Sequence, residues 1–231
     1  MKPASRRIGR PKGFNRNPAQ TTIQSVDRAL DVLSVLSQSD GLTLSQVSER
    51  LGQSPATIYR VLSTLESRGM LETDPQGQTW HVGPAAFVMG SAFLRRSSVI
   101  ERSRPFMRQL TEITGETSNL GIEKDRQVMF VSQVETGAAI RAFFPPGTLS
   151  PMHASGIGKA LLSTFPEDRL TLYLKTETLT AFTSRTLVAP DALRREMETV
   201  RSAGYAYDNE EKAEGMRCVA APILNVHGEA V

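Results

Sequence analysis

Apolar residues recur at helical spacing in two stretches near the start of the chain. The first stretch follows Ser25, a candidate N-cap, and its apolar positions lie three or four residues apart: Val26, Ala29, Leu30, Leu33 and Leu36. The second starts at Thr43, whose hydroxyl can cap a helix while Gln46 reaches back, and it ends at Gly52. The pattern predicts one helix followed by a shorter one.

A third helix is predicted directly after this turn. Ser54 is placed to cap it, Pro55 to occupy its first helical position, and Gly69 to follow its last turn. Its apolar stripe consists of Ile58, Val61, Leu62 and Leu65. The positions left toward solvent are Thr57, Tyr59, Arg60, Ser63 and Thr64. Short polar, aromatic and basic side chains suit the major groove, in which the second helix of a helix-turn-helix lies.

The residues after the third helix separate a DNA-binding module from an ordinary three-helix bundle. Residues 71–73 and 79–82 have strand-like patterns and flank Asp74-Pro75-Gln76-Gly77, a turn sequence. A hairpin at this place is a wing. Residues 21–83 are therefore predicted to form a winged helix-turn-helix domain.

A strongly apolar helix is predicted for the linker, residues 84–99. Pro84 opens it, and its apolar positions again have helical spacing: Ala85, Val88, Met89, Ala92 and Phe93. We expect this face to be buried, either on its own domain or, as we favour, against a second subunit.

The remaining residues, 100–231, mix helical and strand-like patterns. A helix is predicted over residues 100–113, with three apolar positions on its face: Phe106, Leu110 and Ile113. Further helices are predicted over residues 158–163, 167–174 and 191–203. Alternation predicts strands over residues 117–123, 128–134, 138–144, 205–207 and 217–225. Antiparallel strands with helices on one side indicate an α+β sensor-like domain.

Charge divides the chain into two parts of opposite sign. Residues 1–96 hold 12 basic and 7 acidic side chains, whereas residues 97–231 hold 15 basic and 17 acidic ones. Only the first part has the excess of positive charge that favours binding to a polyanion such as DNA. Its residues 1–20 form a basic arm whose composition is typical of a disordered segment. Arg10 and Lys12, beside Gly9 and Pro11, fit a narrow minor groove, and a solvated tail is the alternative.

Composition excludes several other classes of protein. The longest nearly apolar stretch, residues 85–94, is about half of a membrane span, so no membrane partner is expected. The single cysteine excludes an internal disulfide, and three scattered histidines have no metal-ligand spacing. We expect a cytoplasmic protein without metal or cofactor.

The motifs around residue 155 do not match those of an enzyme. Ser155 lacks a nucleophile elbow, Gly158-Lys159 lacks the earlier glycine of a P-loop, and Gly156-Ile157-Gly158 lacks the third glycine of a dinucleotide fingerprint. A triad formed in space by His153, Ser155 and Asp208 is the enzymatic alternative. The same segment precedes a helix, whose free N–H groups favour the binding of an anion. A purely structural role, in which Ser155 only caps the helix, fits the sequence equally well.

Several of these motifs together resemble the IclR family of bacterial transcription regulators. They are Gln24 to Leu30, Thr57-Ile58-Tyr59-Arg60, Val82-Gly83, Gly115-Glu116-Thr117, Pro151 to Ala160, Arg201 to Tyr207 and Asp208 to Cys218. The resemblance covers about residues 22–231 and implies a GAF-like effector domain over residues 100–231. It is greatest to the glyoxylate-responsive branch, which contains repressors of allantoin and glyoxylate metabolism.

The resemblance implies specific residues at two sites. At the DNA interface it places Thr57, Tyr59 and Arg60 beside the capping Ser54. Pro55 and Ala56 stand where members often have Lys and Ser, so a phosphate donor and a hydroxyl are missing there. The basic arm can offset the lost phosphate contact. In the effector domain it implies backbone contacts from Gly156 and Ile157, contacts from Asp208 and Cys218, and apolar lining by Ala139, Ala142 and Met216. Ile157 stands where relatives often have Ala, which favours a small ligand.

The family pattern continues past the position of Val231 with two serines of the carboxylate site, a strand and a terminal helix. We therefore expect the effector domain to be incomplete at its C-terminal end in this chain.

The sequence as a whole predicts a non-enzymatic regulator, and a repressor in particular. It would bind double-stranded operator DNA as a homodimer or tetramer and respond to a small carboxylate such as glyoxylate or pyruvate. The alternatives are a regulator or activator that responds to an aromatic, keto-adipate-like or sugar acid, and an architectural DNA-binding protein without an effector.

Overall fold

The computed structural model describes residues 22–137 and 144–231. The chain divides into two compact units, with the boundary between Phe93 and Leu94. Within the described ranges, no helix is both long and apolar enough to cross a membrane. Arg10 and Lys12 of the basic arm, and residues 138–143 with Ala139 and Ala142, lie outside these ranges.

The first unit has the predicted three helices and hairpin. Its elements are α1 (Gln24–Ser37), α2 (Leu44–Leu51), α3 (Pro55–Ser67), β1 (Leu71–Thr73) and β2 (Trp80–Val82). One apolar core holds them together, formed by Val32, Leu36, Leu42, Val47, Ile58, Leu62, Leu71 and Trp80. Ile58 and Leu62 of the predicted α3 stripe are buried, and Val61 and Leu65 pack beside them.

Two of the three predicted helix caps are confirmed. The Thr43 side chain accepts a hydrogen bond from the Gln46 backbone, and the Gln46 side chain accepts one from Thr43 N–H, which completes a capping box. Ser54 caps α3 with Pro55 behind it. The prediction for Ser25 is wrong. Helix α1 starts at Gln24, two residues earlier than a Ser25 cap implies, after an extended Ile23, whose carbonyl accepts the Val26 and Asp27 amides in place of a side-chain cap.

The wing is a short antiparallel hairpin closed by Asp74. Its carboxylate accepts hydrogen bonds from the Thr79 hydroxyl at 2.8 Å and the Gln78 amide at 2.9 Å, which lower the pKa of Asp74. β2 also forms two backbone hydrogen bonds with Leu42, between Trp80 and Leu42 in both directions. The segment before α2 is therefore joined to the wing by an isolated β-bridge.

The second unit contains helices packed on antiparallel strands. α4 (Pro84–Arg96) crosses the boundary between the units and ends three residues before the predicted limit. The elements that follow are α5 (Ser98–Thr114), β3 (Ser118–Lys124), β4 (Gln127–Val134), β5 (Leu149–Pro151), α6 (Gly156–Ser163), α7 (Glu167–Thr176), α8 (Pro190–Ala203), β6 (Ala206–Asn209) and β7 (Arg217–Ala220). β3, β4 and β5 form one sheet, and β6 pairs with β7.

Several predictions for this unit need correction. β5 was not predicted, because three residues are too few for an alternating pattern, yet it pairs with β4. The predicted strand over residues 217–225 ends at Ala220, and the predicted strand over 138–144 falls mostly outside the described residues. In α5 the core side is formed by Ile100 and Met107, whereas Phe106, Leu110 and Ile113 are exposed.

The linker helix has an apolar surface that its own chain leaves exposed. None of the 13 residues of α4, all of which the structure describes, is buried. Phe87 is 74% exposed, Met89 65% and Val88 62%. Packing on its own domain, one of the two expectations for the predicted apolar face, is therefore wrong for Val88 and Met89.

Close backbone packing fixes the start of α6. A short 3-10 helix, Met152–Ala154, precedes it, and a Cβ added to Gly158 would lie 2.2 Å from the Met152 carbonyl oxygen. Only glycine allows the two turns to approach this closely. The contact sets the direction in which the N-terminus of α6 points.

Replacement of Gly158 by Ala is expected to destabilise the second unit by about 2–4 kcal/mol, because backbone rather than a flexible side chain must move. Gly90→Ala in α4 is the matched control, since a Cβ there meets nothing within 4 Å and helix propensity favours Ala by about 1 kcal/mol. Urea unfolding followed by circular dichroism measures both changes. Equal midpoints for the two variants would contradict this account of the α6 packing.

Candidate DNA interface and effector site

The first turn of α3 is tied by a side-chain cap. The Ser54 hydroxyl accepts the Thr57 amide at 3.3 Å and lies 2.9 Å from the Thr57 hydroxyl. Two of the predicted DNA contacts thus lie together at the N-terminal end of this helix. Free N–H groups and the helix dipole make such an end favourable for phosphate.

The exposed face of α3 carries the other two predicted contacts in the described residues. Tyr59 is 56% exposed, and Arg60 is also exposed. Arg60 lies two residues from both Ile58 and Leu62, which are buried, so it occupies the middle of the opposite face. This surface has the geometry of a recognition helix.

A second site is built around the N-terminus of α6. The Ser155 hydroxyl accepts the Gly158 amide at 3.3 Å, and its carbonyl accepts the Lys159 amide at 2.8 Å. The amides of Gly156 and Ile157 precede these and have no intrahelical acceptor, and the Gly156 backbone forms a hydrogen bond with the Cys218 sulfur. They are the N–H groups predicted to hold an anion.

The fold brings Asp208 and Cys218 to this helix end. The two residues face each other across the β6–β7 pair, which explains why a ten-residue spacing places them side by side. A Cβ built on Gly156 would lie 2.6 Å from the Cys218 Sγ and 3.6 Å from the Asp208 Cβ. Three of the predicted effector contacts therefore meet at one point, and only glycine fits between the other two.

The remaining predicted effector residues lie around this point. Ile157 faces β3, since a Cβ on Gly121 would lie 3.1 Å from its Cγ2. Met216 is half-buried in the loop that joins β6 and β7, where its carbonyl accepts the Glu210 amide at 3.0 Å. Ala142 lies outside the described residues.

Beneath the helix end lies a buried ion cluster that sequence reasoning missed. Lys159 is fully buried, and its Nζ donates to Glu196 Oε1 at 2.8 Å, Glu211 Oε1 at 2.7 Å and the Tyr207 carbonyl at 2.6 Å. Asp208 Oδ1 in turn accepts the Glu211 amide at 2.9 Å. The available signal in the sequence was a lysine on the apolar side of a predicted helix.

Burial dominates the ionisation of this cluster. Desolvation raises the pKa of Asp208 and of Glu211, although Lys159 partly offsets both shifts. For Lys159 itself, desolvation opposes the charge, but hydrogen bonds and charges of Glu196 and Glu211 outweigh it and raise the pKa. Burial, followed by the Asp208 charge, raises the pKa of the Cys218 thiol to about 11. The residue as a whole is exposed, yet its thiol faces this cluster and remains protonated at neutral pH.

The part of the chain that the structure describes shows no group of three or more His, Cys, Asp or Glu residues arranged to hold a metal ion. His153 is buried, lies 3.0 Å from the Thr180 carbonyl through Nε2 and tilts against Phe182. It has a structural partner other than Ser155.

A winged helix-turn-helix unit joined to an α+β unit is the arrangement of a one-component transcription regulator. Family models support this class for both units. The model for the IclR helix-turn-helix domain matches residues 25–75, and that for the bacterial transcriptional regulator IclR C-terminal domain matches residues 91–231. The chain belongs to the IclR family.

Individual relatives agree with this assignment. The chain is 51% identical to the HTH-type transcriptional regulator BhcR of Paracoccus denitrificans (strain Pd 1222) over 228 residues, which cover 97% of this chain and 82% of the relative. It is 36% identical to the acetate operon repressor of Salmonella typhimurium, covering 95% and 83%. A crystal structure of a transcriptional regulator from Rhodococcus sp. RHA1 superposes with a TM-score of 0.82 at 27% identity, covering 91% and 84%.

These findings establish the general activity. The protein is a DNA-binding transcription regulator with a ligand-binding effector domain, and its relatives are regulators rather than enzymes. The α+β fold class with an N-terminal winged helix-turn-helix is also confirmed. None of the relatives named above supports a catalytic triad at Ser155.

Lys159→Met is expected to lower the free energy of unfolding of the second unit by about 3–5 kcal/mol, because it leaves the buried Glu211 carboxyl without its cation. Glu196→Gln is the control: this partner is 28% exposed and keeps a hydrogen-bond acceptor, so a loss below about 1 kcal/mol is expected. Urea unfolding at pH 7 measures both. Equal losses would show that Lys159 does not organise the cluster.

Proposed function

We propose that the protein is a sequence-specific repressor whose operator binding is controlled by a small 2-oxo carboxylate, with glyoxylate first and pyruvate second. One observation carries the effector part: Gly156, Asp208 and Cys218, which are distant in sequence, converge on the N-terminus of α6. The sign of regulation follows the relative named as the acetate operon repressor.

Carboxylate capture requires no chemistry beyond hydrogen bonding. The Gly156 and Ile157 amides point out of the helix end, where the helix dipole favours negative charge. The Cys218 thiol, whose pKa is about 11, remains a neutral neighbour and adds a weak donor. The ligand is thus held by neutral groups.

Ligand size is limited by the side chain of Ile157. It fills space against β3 beside Gly121, where the relatives that the sequence resembles often have alanine. A ligand of about five heavy atoms, such as glyoxylate, has an affinity ceiling near −7 kcal/mol, or a dissociation constant of about 10 μM. Binding in the micromolar to millimolar range suits a metabolite sensor.

DNA reading is assigned to α3 and the basic arm. We propose that Arg60, with Thr57 and Tyr59, contacts base edges in the major groove and that Ser54 contacts phosphate at the helix end. Arg10 and Lys12 are assigned to the minor groove beside it.

The exposed apolar surface of α4 supports a homodimer, in which two wings face a palindromic operator, or a tetramer made of two such dimers. Phe87, Val88 and Met89 are its most exposed large side chains. Effector binding would then change the spacing of the two winged domains. A coupling of about 1–3 kcal/mol corresponds to a 5–150-fold change in operator affinity.

Arg60→Ala is expected to reduce the preference for operator over scrambled DNA by about 10–100-fold, because a side chain at the middle of the exposed face reads bases. Deleting residues 1–16 should instead weaken binding to both DNAs and flatten the dependence on salt. Arg68→Ala, at the far end of α3, is the control for lost charge. Fluorescence anisotropy on DNA from the protein's own upstream region measures all three. Identical behaviour of Arg60→Ala and the deletion would contradict the proposal that α3 reads the base sequence while the basic arm binds DNA of any sequence.

Glyoxylate and pyruvate are expected to shift the operator affinity of the wild type, whereas benzoate should have no effect. Ile157→Ala should gain a benzoate response, since it removes the side chain that limits ligand size. Ile122→Ala deletes the same atoms on the opposite face of β3 and serves as the control. The same anisotropy titration reports each case. If the wild-type protein responded to benzoate but not to glyoxylate, the effector would be an aromatic acid and the proposal of a small carboxylate would be wrong.

A further inference from the structure

The cluster beneath the effector site contains more acid than base. One ammonium, Lys159, contacts two carboxyl groups, Glu196 and Glu211, and a third, Asp208, is linked to Glu211 by a backbone hydrogen bond. Asp208 is 1% exposed and Glu211 6%. With all three acids ionised, the cluster carries an excess of two negative charges before any ligand arrives.

Among the described residues, the titratable groups that face Asp208 lie on three neighbouring segments. Lys159 faces it from α6, the Cys218 thiol from β7, and Glu211 from the loop that follows β6. Glu196, from α8, reaches the cluster through Lys159. The ammonium already donates to three acceptors, including the Tyr207 carbonyl, so it has no donor left for a ligand.

A carboxylate bound at Gly156 and Ile157 would add another negative charge beside Asp208. Two carboxylates this close in a poorly solvated site do not both remain ionised; one of them takes a proton. The ligand acid is the stronger of the two in water, and its charge is held by amides. The proton therefore goes to the protein.

We propose that effector binding is coupled to the uptake of one proton by Asp208, which then donates its O–H to the ligand carboxylate. This inference rests on the proposed function, since it requires a carboxylate at the end of α6. One proton leaves the solvent and no covalent bond of the ligand changes. The repressor would thereby sense its metabolite more strongly in an acidified cell.

Two further features of the cluster support Asp208 as the acceptor. Burial raises its pKa already in the free protein, which is the direction that favours protonation. Glu211 Oε2 is buried without a hydrogen-bond partner among the described residues, and the Asp208 charge raises the pKa of Glu211, so a proton on Asp208 removes a charge that this carboxyl opposes. The hydrogen bond from the Glu211 amide to Asp208 Oδ1 leaves the second Asp208 oxygen to carry the proton.

Isothermal titration of the full chain with glyoxylate, between pH 5.5 and 8.5, tests the coupling. HEPES and imidazole differ in ionisation enthalpy and contain no primary amine that would trap the aldehyde, so the difference in heat counts the protons. We expect one proton per ligand at pH 8, and a dissociation constant that rises about tenfold per pH unit above the pKa of free Asp208. Binding without proton uptake and without pH dependence would overturn the coupling and leave the effector site in place.

Asp208→Asn imitates the protonated side chain and provides the second arm. It should bind glyoxylate with no proton uptake and a flat pH profile, at pH 8 at least as tightly as the wild type. Glu210→Gln is the control, because it removes an adjacent charge that pairs with Arg217 and should keep the wild-type profile. A folded Asp208→Asn variant that no longer binds would overturn the inference, since the ionised carboxylate would then be required. No binding of glyoxylate, pyruvate or acetate to either protein would overturn the effector site together with the coupling.

Discussion

The buried ammonium of Lys159 is the interaction on which the geometry of the second unit depends. Its three acceptors come from α8, from β6 and from the loop after β6. A desolvated charge is tolerated only when such partners are in place, so these segments must close around α6 in one arrangement. The same arrangement brings β6 and β7 to the helix end, so the proposed anion site would form together with the cluster beneath it.

The two units use opposite physical strategies. In the first unit the proposed DNA contacts lie on the solvent-facing side of α3, above the apolar core that holds the helix. In the second unit the proposed effector contact Asp208 is buried, and burial raises its pKa. An exposed helix face suits a large polyanion, whereas backbone amides at the end of a helix suit a small anion. This contrast agrees with a regulator that reads DNA at one unit and a metabolite at the other.

Local signals made much of the fold predictable. The capping box at Thr43 and Gln46 and the cap at Ser54 depend on residues only three positions apart, so the sequence displays them directly. The prediction of Ser25 as the N-cap of α1 was wrong because the helix starts after Ile23, which has no side-chain cap and therefore no capping signal in the sequence. The effector residues Gly156, Asp208 and Cys218 came from the family resemblance, and their meeting depends on strand pairing. The partners of Lys159 lie 37 to 52 residues away, beyond the reach of periodicity.

The central claim is that a small carboxylate binds to the backbone amides at the start of α6. Titration of 15N-labelled protein with glyoxylate, followed by transverse-relaxation-optimised NMR, tests it most directly. The account predicts that the Gly156 and Ile157 amide signals shift together and saturate at one ligand concentration, with Cys218 following the same curve. Saturable binding that leaves both amides unchanged and shifts signals elsewhere would contradict it.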